Sequence, residues 1–152
     1  MRNNDAFDVR IENSSGFLLW QVTSLWQRKI RRLLNRKYQI THAQYVLLAS
    51  THWLAVHNSE VTQNLLVHHT KIEAMNVSQV LKKLENMGFI ARKGHSLDIR
   101  AKAVFLTESG QELIQKANKD IEKIDLNFFN KLDDGLGNFN DSLIKLISYH
   151  DD

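Results

Sequence analysis

Apolar residues recur at intervals of three and four positions from Ser14 to Lys37, the spacing of one face of an α-helix. Nothing after Gly16 interrupts this stretch, so the pattern predicts one long amphipathic helix with a basic opposite face. Thr41 is a candidate N-cap for a second helix, from His42 to about Val56. The residues expected on its buried side are Tyr45, Leu48, Ala49 and Trp53.

Two further helices are predicted close together. Thr62 can cap a short helix from Gln63 to about His69, and a longer basic helix ends at Met87, with Gly88 placed to terminate it. Two such helices joined by a few residues predict a helix-turn-helix. The apolar stripe of the longer helix consists of Val77, Leu81 and Leu84, flanked by Val80.

The sequence allows two start positions for that longer helix. The pattern Thr70-x-x-Glu73 fits a capping box, which would begin the helix at Lys71. The alternative start lies after Glu73, at Ala74.

The pattern then becomes extended. Phe89–Arg92 and Ala103–Leu106 are short β-prone runs separated by ten mostly polar residues, which predicts two strands joined by a loop. Thr107 can cap a helix that continues to Leu132, and a break rich in Asp and Gly precedes a last short helix ending near His150. The predicted fold is therefore mainly α (α+β), a winged helix-turn-helix between long terminal helices.

Composition narrows the class of protein. A chain of 152 residues with 43% hydrophobic content can form one packed domain, with or without an appendage. No apolar run is long enough to cross a bilayer and no secretory signal precedes the fold, so we expect a cytoplasmic protein. The absence of cysteine excludes disulfides and thiol chemistry. Without a phosphate loop, HExxH or GxSxG motif, neither an enzyme nor a cofactor is expected.

The two ends of the chain carry opposite charge. Residues 1–40 contain eight Lys or Arg and three Asp or Glu, whereas residues 103–152 contain five and ten. Either the charged residues lie on solvated helix faces, or the first and last segments of the chain lie side by side in the fold.

The exposed face of the longer basic helix is polar. Amide side chains pair with adenine, Lys with guanine or phosphate, and a Met thioether can touch a thymine methyl group. An ordinary solvated helix face has a similar composition, so both interpretations stay open. The candidate DNA contacts on this helix are Met75, Asn76, Ser78, Gln79, Lys82 and Lys83.

The predicted hairpin is strongly basic. Cations at its tip can lie along phosphates or enter a minor groove, although a charged tip can also serve solubility alone. Asp98 would be repelled by DNA, and we expect it to pair with Arg92 or Arg100 and fix a guanidinium. The candidate DNA-binding residues of the hairpin are Arg92, Lys93, His95, Asp98, Arg100 and Lys102.

These motifs together resemble the MarR family of winged-helix transcriptional regulators, and the resemblance covers nearly the whole chain. The most specific part is Asp98-x-Arg100 followed by Leu106-Thr107-x-x-Gly110. One departure is Glu73-Ala74, where the family often has Asp-Pro. The other matching segments are Val61-Thr62-Gln63-x-Leu65 and Leu84-Glu85-x-x-Gly88-Phe89-Ile90-x-Arg92.

The resemblance implies a homodimer that binds double-stranded DNA at a palindromic operator, commonly as a repressor released by a small aromatic or anionic effector. It implies a dimerisation helix in residues 1–40, a DNA-binding lobe in 41–106 and dimerisation helices in 107–152. The recognition helix would be Ala74–Met87 and the wing Arg92–Lys102. The residues expected to bury the dimer interface are Phe17, Leu25, Phe128, Leu143 and Ile147.

The aromatic residues and the histidines are each considered as a small-molecule or metal site. Trp20, Tyr45 and Trp53 could line an effector pocket, although aromatic residues at helical spacing are usually core. The seven histidines do not form an i, i+4 pair on one helix face, and we expect no metal site. The alternatives to a ligand-responsive repressor are a metal-dependent sensor of the same fold and a winged-helix module that binds protein rather than DNA.

Overall fold

The computed structural model describes residues 13–57, 60–94 and 102–150. The predicted wing residues His95, Asp98 and Arg100 lie outside this range. The elements in chain order are α1 (Ser15–Tyr38), α2 (His42–His57), α3 (Gln63–Thr70), α4 (Ala74–Asn86), β1 (Ile90–Lys93), β2 (Ala103–Leu106), α5 (Glu108–Phe129), a 3-10 segment (Asn130–Gly135) and α6 (Leu136–Ser148).

The junction of α1 and α2 is fixed by backbone geometry and a capping box. Gln39 ends α1 in the left-handed region with φ of 54°. At the start of α2, the Thr41 hydroxyl accepts from the Gln44 amide at 3.1 Å, and the Gln44 side chain accepts from the Thr41 amide at 2.9 Å. These reciprocal bonds satisfy two otherwise unpaired helix donors, as expected of Thr41.

The buried side of α2 differs from the prediction. Its buried residues are Gln44, Leu47, Leu48, Ser50, Thr51 and Leu54. Of the four residues expected there, only Leu48 is buried, and Trp53 is 50% exposed. The polar Thr51 is tolerated in the interior because its hydroxyl donates to the Leu47 carbonyl at 2.7 Å.

The predicted helix-turn-helix is present as α3 and α4. Thr62 caps α3 by accepting from the Leu65 amide at 3.2 Å, as predicted. A start of the next helix at Lys71 is wrong, because Thr70 is the last residue of α3 and Lys71 is left-handed with φ of 61°. The recognition helix therefore begins at Ala74.

The wing is an antiparallel pair in which Ile90 faces Leu106 and Lys93 faces Ala103. β2 is the strand predicted from the sequence, whereas β1 begins one residue later than predicted. The Val104 amide also donates to the Val61 carbonyl at 2.7 Å. β2 is thus held on both edges, which ties the wing to the start of α3.

The core of the lobe lies between α2, α3, α4 and the sheet, with the second half of α1 packed against α2. The predicted stripe of Val77, Leu81 and Leu84 is buried. The other apolar residues buried here include Ile30, Leu34, Leu47, Leu48, Leu66, Ile90, Val104 and Ile114.

The C-terminal helices differ from the prediction at their boundary. α5 ends at Phe129 rather than Leu132, and α6 already begins at Leu136. Between them, Asp133 adopts φ of 46°, which breaks the helix. The chain divides into two compact units, Met1–Asn118 and Lys119–Asp152. Within the described ranges, no helix has the length and hydropathy that spanning a bilayer requires.

Candidate nucleic-acid interface

The face of α4 opposite its buried stripe is open to solvent. Met75 is 71% exposed, and Asn76, Gln79 and Lys82 are exposed with it, while Ser78 is half-buried. Lys83 is also exposed. The helical period that buries Val77, Leu81 and Leu84 therefore presents every candidate DNA contact of this helix at least partly to solvent.

The two ends of α4 are held differently. At the C-terminus, the Gly88 amide donates to the Glu85 carbonyl and the Phe89 amide to the Leu84 carbonyl, both at 3.0 Å. This is a Schellman motif, and Gly88 supplies its left-handed residue with φ of 81°, as predicted. At the N-terminus, the side chain of Glu73 makes no capping hydrogen bond. The first turn of the recognition helix is thus its less secured end.

The C-terminal end of α4 is joined to the start of α5. The hydroxyls of Thr107 and Ser109 donate to the Gly88 carbonyl at 2.6 and 3.0 Å, and the Thr107 amide donates to the Phe89 carbonyl at 3.0 Å. A Cβ on Gly110 would lie 2.0 Å from the Phe89 carbonyl oxygen, so only glycine fits there. The Leu-Thr-x-x-Gly motif therefore positions the recognition helix, a role that spacing alone did not reveal.

Two of the predicted wing cations lie at the ends of the strands. Lys93 is exposed, with its Nζ 5.5 Å from the centre of the Phe105 ring, and Lys102 is half-buried. A cation over an aromatic face keeps its charge while losing some mobility. Lys93 and Lys102 can therefore contribute positive charge beside the recognition helix.

Arg92 is placed differently from the expectation that it belongs to an exposed tip. It pairs with Val104 across the sheet, so strand alternation turns it inward together with Ile90. Only 10% of its side chain is exposed, and its Nε lies 3.7 Å from a carboxylate oxygen of Glu85. Its Nη1 donates to the side-chain oxygen of Gln63 at 3.5 Å. Arg92 therefore faces the two helices rather than solvent.

The proposed effector residues have unlike surroundings. Trp20 is 70% exposed on α1, and Tyr45 donates its hydroxyl to the Asn118 side chain at 2.9 Å. The Trp53 ring stacks with the rings of His57 and His69, whose centres are 4.1 and 5.1 Å away. In the described part of the chain, no group of three or more potential ligands among His, Asp and Glu is arranged to hold a metal ion.

The expected dimerisation residues are incompletely covered in one chain. Phe17, Leu25 and Ile147 are exposed, whereas Phe128 and Leu143 are half-buried. α6 contains no buried residue at all. These apolar side chains are thus available for contact with another surface.

Known proteins share both the sequence and the architecture of this chain. The sequence model of the ArnR1-like winged-helix domain matches residues 36–124. The uncharacterized HTH-type transcriptional regulator YdcH of Bacillus subtilis (strain 168) is 42% identical over 116 residues, which are 76% of this chain and 78% of that protein. The chain belongs to the MarR family of winged-helix transcriptional regulators.

Two solved structures have the same fold as this MarR-family chain. The MepR–DNA complex of S. aureus has a TM-score of 0.75 at 23% identity, covering 91% of this chain and 97% of that one. CouR from Rhodococcus jostii RHA1, bound to p-coumaroyl-CoA, has a TM-score of 0.74 at 22% identity, covering 90% and 94%. The matches to the winged-helix sequence model and to the regulator YdcH show that the chain is a DNA-binding helix-turn-helix transcriptional regulator of the MarR type, not an enzyme.

Proposed function

We propose that this regulator is a homodimeric repressor that binds a palindromic operator and releases it when a small aromatic or anionic effector binds. The observation that carries the proposal is the pairing of a solvent-facing polar recognition helix with apolar terminal helices that a single chain leaves uncovered. The first surface contacts DNA, and the second joins two copies. Residues 41–106 are the DNA-binding lobe, and residues 1–40 and 107–152 supply the dimer contacts.

The case for a dimer rests on the exposed apolar residues of α1 and α6. Each helix exposes several large apolar side chains, and exposed apolar surface of this extent marks association sites on soluble proteins. Burial of this surface supplies the free energy of association, because exposed ion pairs contribute little. The exposed apolar residues of the two helices include Phe17, Leu18, Leu19, Val22 and Leu25 of α1, and Ile144, Leu146 and Ile147 of α6.

Charge gives the dimer a preferred arrangement. Within the unit Lys119–Asp152, α5 and α6 enclose a mainly apolar groove of about 520 Å³ that Glu122 and Asp125 help to line. α1 carries Lys29, Arg36 and Lys37 beyond its apolar first half. We propose that the basic α1 of one copy lies against the acidic C-terminal helices of the other. A closed pair of this kind has twofold symmetry and therefore favours a palindromic site.

The effector is proposed to bind beside Trp20 on α1. The polar residues that share this face of α1 with Trp20 are Ser24, Gln27, Arg28, Arg31, Arg32 and Asn35. An exposed indole with guanidinium groups next to it suits an aromatic anion, through stacking and charge-assisted hydrogen bonds. The bound p-coumaroyl-CoA of CouR, a relative in fold, is a ligand of that chemical kind. Tyr45 and Trp53 remain candidates for the same role.

The test begins with selection of genomic DNA fragments by the protein, followed by mobility-shift assays on the selected duplex and on a scrambled one. We expect retardation of the selected duplex by two chains per site, with affinity falling steeply as salt rises. If no fragment is enriched and neither duplex is retarded at about 0.15 M salt, the winged helix would serve protein contact instead. Binding that depends on added metal would favour the metal-dependent alternative.

A further inference from the structure

We propose that Arg92 is a positioning residue that fixes the wing to both helices of the helix-turn-helix, so that wing and recognition helix meet DNA as one unit. The inference rests on the proposed DNA-contact surface and replaces the role of direct DNA contact that the sequence suggested for this arginine.

The geometry connects three elements through one guanidinium. Arg92 lies in β1, and its Nη1 reaches Gln63 at the start of α3. Its Nε reaches Glu85 in the last turn of α4. Gln63 is itself buried, with 5% of its surface exposed. β1 also follows α4 directly through the Schellman turn. The contact between Arg92 and Glu85 is therefore a second connection between the recognition helix and the wing.

Burial argues against a direct phosphate contact. Only 10% of the Arg92 side chain is exposed, so its guanidinium would have to leave Gln63 and Glu85 to reach DNA. The Nε has no hydrogen-bond partner among the described residues, so the ion pair with Glu85 is its main compensation. The exposed Lys93 and half-buried Lys102 are better placed to meet phosphates.

This role predicts that loss of the negative charge of Glu85 weakens DNA binding rather than strengthening it. The residue lies on the recognition helix, and its side chain is 44% exposed. If Glu85 acted only through its charge, Glu85→Gln would strengthen DNA binding, because a repulsive carboxylate is removed. If it holds Arg92, the same substitution weakens operator binding, since the wing loses its tie to α4.

The experiment compares Arg92→Met, Arg92→Lys and Glu85→Gln with wild type on a duplex that the wild-type protein selected from a random pool. We expect Arg92→Met and Glu85→Gln each to weaken binding by about tenfold, and the double variant to lose little more than either one. The slope of affinity against salt should stay unchanged for Arg92→Met. Hydroxyl-radical footprints should lose wing protection while recognition-helix protection remains, which a general loss of folding would not produce.

Controls separate this inference from the function on which it rests. Glu60→Gln removes an exposed carboxylate that precedes α3 and belongs to none of the proposed contacts, and should leave affinity unchanged. Arg92→Lys keeps the charge but not the two-armed guanidinium, and should fold like wild type while binding weakly. A salt slope shallower by about 0.9 in Arg92→Met, or tighter binding by Glu85→Gln, would overturn the positioning role. If Gln79→Ala and Lys102→Ala also bound like wild type, the contact surface itself would be wrong.

Discussion

The DNA-binding lobe and the terminal helices complete their cores in different ways. In the lobe, α2, α3, α4 and the sheet bury their apolar residues against one another within one chain. In α1, Ile30 and Leu34 are buried in the same manner, but the first half leaves Phe17 and Leu25 exposed. α6 has an apolar face and no buried residue.

This difference indicates which parts of the fold are self-sufficient. The lobe caps α2 and α3 through Thr41 and Thr62 and ends α4 in a Schellman motif, so these parts of its geometry follow from contacts within one chain. The terminal helices have amphipathic sequences whose apolar faces need a partner, which makes their stability depend on protein concentration. The surface proposed to bind DNA and the surface proposed to bind a second copy can therefore be perturbed separately.

The largest effect is expected from Leu25→Asp, which places a charge in the exposed apolar face of α1. An unpaired carboxylate in a buried interface costs about 3 kcal/mol or more. Sedimentation equilibrium should show monomers, and operator affinity should fall by at least about 100-fold. Ala55→Asp adds the same charge to an exposed site of α2, outside the proposed dimer and effector surfaces, and should leave both unchanged. A monomeric wild type, or a dimeric Leu25→Asp variant, would contradict the proposal that this face of α1 is covered by a second copy.

The next largest effect is expected at Gly110, where the start of α5 meets the lobe. Gly110→Ala puts a Cβ 2.0 Å from the Phe89 carbonyl oxygen, so α5 and the Schellman turn must separate. We expect a loss of about 3 kcal/mol, at the upper end for overpacking, measured by denaturant unfolding at fixed protein concentration. Gly137→Ala in α6 meets nothing within 4 Å and should be neutral or stabilising. Equal stabilities of the two variants would remove the proposed role of this contact.

Much of the fold could be predicted from local patterns. The helical stripe of α4, its termination by Gly88 and the caps at Thr41 and Thr62 depend on neighbouring residues only, and all are present. The buried face of α2 could not be predicted in this way. Its interior includes polar Thr51, satisfied by a backbone carbonyl, while apolar Trp53 stacks against histidines nearer the surface.

The sequence predicted which residues belong to the candidate interface, but not the direction in which every side chain points. Helical period alone identified the exposed side chains of α4, because a helix face follows from spacing. The direction of Arg92 depends on strand register, which a basic stretch of sequence does not specify. The fit of Gly110 against Phe89 depends on a contact between residues distant in sequence, so the motif was visible while its cause was not.

A smaller effect distinguishes the recognition helix from the wing, the two elements of the lobe proposed to face DNA. Gln79 is exposed on the recognition helix, so Gln79→Ala should change base preference by about 1–2 kcal/mol at one position of each half-site. Lys102→Ala should weaken binding to all sequences and make the salt slope shallower by about 0.9. Competition assays against single-base operator variants at several salt concentrations measure both quantities. Neither variant should alter dimerisation, and a change in oligomeric state would show that the two surfaces are not separate.

The smallest effect is expected at the weakest point of the lobe, the start of the recognition helix. Glu73 has the extended backbone of an N-cap, with φ of −58° and ψ of 143°, but its side chain makes no capping bond. Glu73→Asp shortens the carboxylate so that it can accept from the amides of the first turn, and should stabilise the protein by about 0.5–1 kcal/mol. Glu73→Gln is the matched control, since it removes the charge at constant length. If denaturant unfolding found the Asp variant no more stable than the Gln variant, the first turn would already be held by contacts other than a cap. The N-terminus of α4 would then be as well secured as its C-terminus.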